Sequence, residues 1–123
     1  MKYTDTDLSP AVLLVDSDAN QIRANKTALE AQGYRVVCAY SGHDAFEIFT
    51  HEKIDAVVVD VLLPDMHVLD LIEEIAAKRN HIPIIVNNAY AGYKENFRYW
   101  AADAVVEKSA NHRSLFTQVA ALL

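Results

Sequence analysis

The sequence contains very little cysteine, glycine and proline. Its single cysteine, Cys38, cannot form an internal disulfide, so nothing indicates an oxidising compartment. With only three glycines, the chain shows no glycine-rich phosphate loop. No apolar run approaches the roughly 20 residues of a membrane-spanning helix, and residues 1–10 lack the pattern of a secretory signal. We therefore expect a cytoplasmic protein that does not act at a membrane.

Basic charge is also scarce. The 123 residues carry a formal net charge of −6, which argues weakly against direct binding of nucleic acid because phosphates require a basic patch. The length suits one domain. We expect a polar N-terminal tail at residues 1–10 and one domain at residues 11–123, without an output domain of its own.

Five short apolar runs recur about every twenty residues. Each is rich in valine or isoleucine and none alternates cleanly with polar residues, which is typical of strands buried on both faces of a parallel sheet. The runs are Ala11–Val15, Val36–Tyr40, Ala56–Val59, Ile82–Val86 and Ala104–Val106. The segments between and after them have helical character, at residues 18–32, from 41–42 onward, and at about 66–79, 93–101 and 111–122. This alternation predicts an α/β fold, a three-layer doubly wound five-stranded parallel sheet.

Polar side chains follow the apolar runs at the carboxyl ends of the predicted strands, where ligand sites of such sheets lie. Asp16 follows the first run, Asp60 the third, Asn87 and Asn88 the fourth, and Lys108 comes soon after the fifth. Carboxylate oxygens are ligands that Mg²⁺ prefers. Taken singly, each acid is better explained as a helix cap, but the combination of acids and lysine at three strand ends indicates a site.

The ordered set of these segments resembles the receiver domain of bacterial two-component response regulators. The resemblance covers about residues 11–122. It is carried by the segments Val12–Asp18, Ile54–Asp60 with Pro64 four residues later, Ile82–Ala89 and Ala101–Lys108. It implies a flavodoxin-like (βα)5 fold with strand order 2-1-3-4-5.

The resemblance also implies a chemistry. Asp60 would accept a phosphoryl group from a phosphohistidine of a sensor histidine kinase or phosphotransfer protein. Asp16, Asp60 and the backbone carbonyl of Leu62 would hold Mg²⁺, while Lys108 and Asn88 would contact the phosphoryl oxygens. The chain would then act through a downstream protein or a homodimer, with no turnover of an external substrate.

Several positions depart from the family pattern. Ser17 replaces the usual second acid, so we expect weak Mg²⁺ binding, with Ser17 and Asp18 as weaker candidates for metal contact. Asn88 replaces a threonine or serine, and Val68 replaces a glycine. These departures leave open an alternative, a receiver-like interaction module that works without phosphorylation.

Two further features bear on function. The aromatic residues of the fourth helical segment, Tyr93, Phe97, Tyr99 and Trp100, are a candidate interaction face. The stretch Asp16-Ser17-Asp18 also matches the D-x-D motif of haloacid dehalogenase-like phosphatases, with Asp16 as nucleophile. That third hypothesis lacks the later acid pair and the cap that those enzymes use.

Overall fold

The structure is a computed structural model, and it describes residues 9–79, 81–88, 103–107 and 113–123. Strands and helices alternate through this part of the chain. In chain order they are β1 (Ala11–Val15), α1 (Ala19–Ala31), β2 (Arg35–Ala39), α2 (Gly42–His51), β3 (Ala56–Asp60), α3 (Val68–Lys78), β4 (Ile84–Asn88), β5 (Ala104–Glu107) and α4 (Arg113–Leu122). No helix among these residues is long and apolar enough to cross a membrane.

The five strands form one parallel sheet with the order β2-β1-β3-β4-β5. The predicted fold class and strand order are therefore confirmed. The sheet is covered on both faces, which explains why its inner strands are continuous apolar runs instead of alternating ones. All five residues of β1 and all five of β3 are buried.

Alternate residues of each strand enter two separate cores. Leu13, Val57 and Ile84 belong to a core shared with α2 and α3, on one face of the sheet. Leu14, Val58 and Ile85 belong to the core on the opposite face, which receives Leu29 of α1 and Leu115 of α4 among others. This division follows from the two-residue period of a strand.

At the amino edge of the sheet, two aspartates each form a reciprocal pair of hydrogen bonds with the first residue of a strand. Asp55 accepts from the Ala11 N–H at 2.7 Å and donates its own N–H to the Ala11 carbonyl. Asp103 makes the same reciprocal pair with Ile84. These acids stabilise strand starts, so they are structural, and they leave the opposite edge as the place for chemistry.

Element boundaries differ slightly from the sequence predictions. β4 begins at Ile84 instead of Ile82, because Pro83 has no N–H to donate to a ladder. α3 begins at Val68, after its cap His67. On α1 the buried residues are Ile22, Asn25 and Leu29, so a polar residue forms part of the buried face of this helix. The predicted helix at 93–101 lies outside the described residues.

Candidate functional site

Strand register places three polar residues in a row at the carboxyl edge of the sheet. Val15 of β1 pairs with Val59 of β3, so the next residues, Asp16 and Asp60, stand side by side on strands about 4.8 Å apart. Asp60 in turn pairs with Asn87 of β4. The structure thus brings together the two acids that the sequence predicted.

All three side chains of this row are buried. Asp16 is 2% exposed, Asp60 is 8% exposed and Asn87 is 5% exposed. The resemblance assigns the phosphate contact to Asn88, which stays a prediction, and Asn87 is the residue in register with Asp60. In the sequence, Asn87 could be recognised as a site residue because it is a polar residue at the end of an apolar strand.

Each carboxylate is oriented by a backbone N–H two residues later. Asp16 Oδ1 accepts from the Asp18 N–H at 2.9 Å, and Asp60 Oδ2 accepts from the Leu62 N–H at 3.2 Å. These local turns compensate part of the cost of burying a charge. They also hold both carboxylates at the strand ends, while Asp18 and His67 cap the helices that follow.

Ser17 connects the two loops that carry these acids. Its hydroxyl donates to the Leu62 carbonyl at 3.5 Å, a long hydrogen bond between residues 45 apart in sequence. The Leu62 carbonyl is the backbone group that the resemblance assigns to the metal. The structure therefore places Ser17 next to that carbonyl, where the usual second acid of the family would add a charge.

The donor set suits a hard cation. Two buried carboxylates and a neighbouring carbonyl supply oxygen ligands, which is the preference of Mg²⁺. Among the described residues no group of three or more His, Cys, Asp or Glu side chains is placed to hold a metal ion. A Zn²⁺-type site is thus not formed in this part of the chain, whereas Mg²⁺ fits the residues present.

Asp18 has a structural task. Its Oδ1 accepts from the N–H groups of Asn20 and Gln21 at 2.9 Å and 3.4 Å, so it is the N-cap of α1. The Asp18 side chain is therefore directed toward the first turn of α1. Its role as a weaker metal candidate stays a prediction.

Several predicted residues lie outside the described part of the structure. The backbone of Asn88 pairs with Glu107 in the sheet, but its side chain is not among the described ones. Lys108 and the four aromatic residues of the candidate interaction face also lie outside it, namely Tyr93, Phe97, Tyr99 and Trp100. Their roles remain predictions.

The loop between β3 and α3 docks on the start of α2, which the sequence did not indicate. Asp65 accepts from the N–H groups of Gly42 and His43, both at 2.8 Å. The hydrogen bond from the His43 N–H is the main cause that lowers the pKa of the Asp65 carboxyl. Met66 packs so closely on Gly42 that any Cβ there would lie 2.5 Å from its side chain. The loop that follows Asp60 is thereby attached to a neighbouring helix.

The next residue of this loop, His67, is the N-cap of α3. Its Nδ1 accepts from the Leu69 N–H at 3.1 Å, which requires the imidazole to be unprotonated at Nδ1. An imidazole here performs the capping usually done by a short polar side chain. The last part of the segment between Asp60 and α3 thus contacts α2 through Asp65 and caps α3 through His67.

Comparison with known sequences agrees with this geometry. The family profile described as the response regulator receiver domain matches residues 12–120. The regulatory protein AtoC of Escherichia coli is 30% identical over 78% of this chain, which covers 22% of AtoC. The probable transcriptional regulator ycf27 of Guillardia theta is 29% identical over 97% of this chain and 47% of its own length. The chain therefore spans less than half the length of these relatives.

Solved structures are similar over nearly the whole chain. The response regulator TrrA of Thermotoga maritima, crystallised in complex with Mg²⁺-BeF, superposes with a TM-score of 0.88 and 32% identity over 93% of this chain and 99% of that one. A CheY-like receiver domain of Methanospirillum hungatei gives a TM-score of 0.85 and 26% identity over 92% of each chain. The profile match and these structural likenesses identify the chain as a member of the response regulator receiver domain family.

Proposed function

We propose that this receiver domain accepts a phosphoryl group on Asp60 in a cytoplasmic two-component phosphorelay. The observation that carries the proposal is the buried Asp60 carboxylate, placed in register between Asp16 and Asn87 at the carboxyl edge of the sheet. The donor is a phosphohistidine of a sensor histidine kinase or phosphotransfer protein. In support, TrrA, which is 32% identical to this chain, was crystallised in complex with the histidine kinase ThkA.

The transfer exchanges one bond for another. An Asp60 carboxylate oxygen attacks the phosphorus, the phosphorus–nitrogen bond breaks, and its electron pair returns to the imidazole of the donor. The Leu62 N–H holds Asp60 Oδ2 and so directs which oxygen is presented. Lys108 and the Asn88 amide are proposed to neutralise and bind the phosphoryl oxygens.

Mg²⁺ is the proposed cofactor, held by the carboxylates of Asp16 and Asp60 and by the Leu62 carbonyl. When bound, it screens the negative charge that gathers on the transferring phosphoryl group. The Ser17 hydroxyl supplies no charge, so binding is weaker than two acids on this loop would give. The phosphorylated domain passes its signal on by binding a downstream protein or a second copy of itself.

The test is phosphorylation by a small donor. Wild-type protein incubated with acetyl phosphate and Mg²⁺ should gain one phosphoryl mass in an intact-mass spectrum, and Asp60→Asn should abolish the gain. Asp70→Asn is the matched control, because Asp70 is an exposed acid on α3 outside the row. It should be modified like the wild type.

Two outcomes would overturn the proposal. Modification that persists in Asp60→Asn would place the acceptor elsewhere. A wild type that gains no mass at millimolar Mg²⁺ would favour the alternative function, an interaction module that works without phosphorylation.

A further inference from the structure

The outer edge of β2 presents backbone groups that no described residue binds. β2 is the last of the described strands in the sheet, and within the described ranges it pairs with β1 alone. The Arg35 N–H donates to the Pro10 carbonyl, and the Ala39 carbonyl accepts from the Asp16 N–H, so alternate residues from Arg35 to Ala39 face β1. The backbone groups of Val36 and Cys38 must then point away from the sheet. They form a two-residue ladder that is ready to accept another strand.

A cleft of about 460 Å³ lies beside this edge, between β2 and α1. Ile22 of α1 and the side chains of Val36 and Cys38 give it an apolar interior. Tyr40, which is 49% exposed, stands at the carboxyl end of the strand. A strand added to β2 would direct every second side chain to the face of the sheet that the cleft occupies.

The charge of the cleft is opposite to that of the chain as a whole. Arg23 and Lys26 line it, and no acidic residue among the described ones does, although the chain has 17 acidic residues against 11 lysines and arginines. Lys26 is paired with Glu30 at 3.2 Å in an exposed contact, which is weak. Arg23 contacts only the neutral amide oxygen of Asn20 among the described hydrogen bonds. The cleft therefore favours an acidic occupant.

We propose that the β2 edge binds an extended segment of a partner protein by strand addition, a function separate from phosphorylation of Asp60. The segment has alternating apolar residues that fill the cleft and acidic residues on the same face that contact Arg23 and Lys26. Its backbone hydrogen-bonds to Val36 and Cys38. Main-chain bonds supply affinity in this mode of recognition, and alternate side chains supply specificity.

A second copy of the chain fits this edge less well. Two β2 strands paired about a two-fold axis would form one continuous sheet with both α1 helices on the same face. Arg23 and Lys26 of one copy would then face the same residues of the other. Juxtaposed like charges oppose such a contact, whereas an acidic strand is complementary to it.

The probe is the peptide acetyl-Glu-Thr-Val-Thr-Val-Thr-Glu-amide, which places its acids and valines on one face of a strand. Its counterpart has lysine in place of both glutamates. In NMR titrations of isotope-labelled protein at low salt, the acidic peptide should bind at least about tenfold more tightly. The Val36 and Cys38 amides should shift and become protected from hydrogen exchange.

Charge reversal separates this contact from nonspecific attraction. Arg23→Glu combined with Lys26→Glu should reverse the preference between the two peptides, while Lys53→Glu, at an exposed position before β3, should leave it unchanged. Equal binding of both peptides, or unprotected Val36 and Cys38 amides, would overturn the proposal. Protection of these amides in the free protein would also overturn the proposal. If that protection is lost on dilution, the edge binds a second copy of the chain. If it is lost on deletion of residues 1–8, the edge binds the start of the chain.

Discussion

Ser17 stands at the junction of the two loops that carry the buried acids, and one hydroxyl there replaces one negative charge. Its long hydrogen bond to the Leu62 carbonyl joins those loops without a metal. A carboxylate at the same place would repel that carbonyl, and a bound cation would relieve the repulsion. The residue type at this position therefore sets how strongly the site depends on metal.

Ser17→Asp should tighten Mg²⁺ binding by at least about tenfold, because it adds a full charge near the proposed ligands. The same change should lower the stability of the metal-free protein and restore it when Mg²⁺ is added. Metal titration and thermal melts with and without Mg²⁺ measure both effects, with Ser17→Asn as the neutral control. Equal affinity in the wild type and the Asp variant would show that another group already provides the charge.

At the scale of elements, the segment between β3 and α3 connects the proposed acceptor to two helices. Asp65 caps the first N–H groups of α2, and His67 caps α3. Negative charge at a helix start is favourable, because it satisfies free N–H groups and the helix dipole. This segment begins directly after Asp60, so it links the proposed acceptor to both helix starts.

Asp65→Asn should destabilise the protein near neutral pH and flatten its stability profile in acid. A carboxyl whose pKa is lowered by folding stabilises the protein above its unfolded pKa, about 3.9 for aspartate. That contribution is lost as the pH falls from there through the lower folded pKa. Urea unfolding of both proteins across this range should give curves that converge at the acid end.

The control for this prediction is Glu73→Gln, which removes an exposed acid from the middle of α3 without touching the β3–α3 loop. Its stability profile should stay close to that of the wild type. Parallel profiles for Asp65→Asn and the wild type down to the acid end would contradict the assigned role of Asp65.

For the whole molecule, the site places two buried carboxylates on adjacent strands of an already acidic domain. Like charges this close disfavour the folded state, while their attraction for a cation favours it when the cation is bound. The stability of the fold and the occupancy of the site are therefore linked.

Asp60→Asn should raise the melting temperature of the metal-free protein by a few degrees, equivalent to about 1 kcal/mol. Mg²⁺ should stabilise the wild type more than the variant, since only the wild type retains both carboxylates. Calorimetry with and without Mg²⁺ tests this, and Glu73→Gln, which removes an exposed acid from the middle of α3, should behave as the wild type. A clear drop for Asp60→Asn would mean that its bond to the Leu62 N–H outweighs the repulsion.

The sequence by itself determined the parallel α/β class and the acids at the strand ends. Both are local properties, because a strand buried on both faces must be an apolar run and a polar residue ends it. Asp16 and Asp60 were recognised in this way. The strand order came from the resemblance to a family, since periodicity carries no information on which strands are neighbours.

Only the tertiary structure decided which distant groups meet. Register selected Asn87 as the neighbour of Asp60, and loop packing brought Asp65 to Gly42, 23 residues away in sequence. Helical periodicity did not reveal that Asn25 is buried with its amide nitrogen unpaired among the described contacts, at a cost of roughly 1–3 kcal/mol. Such contacts depend on chain segments far apart in sequence, and no local pattern encodes their pairing.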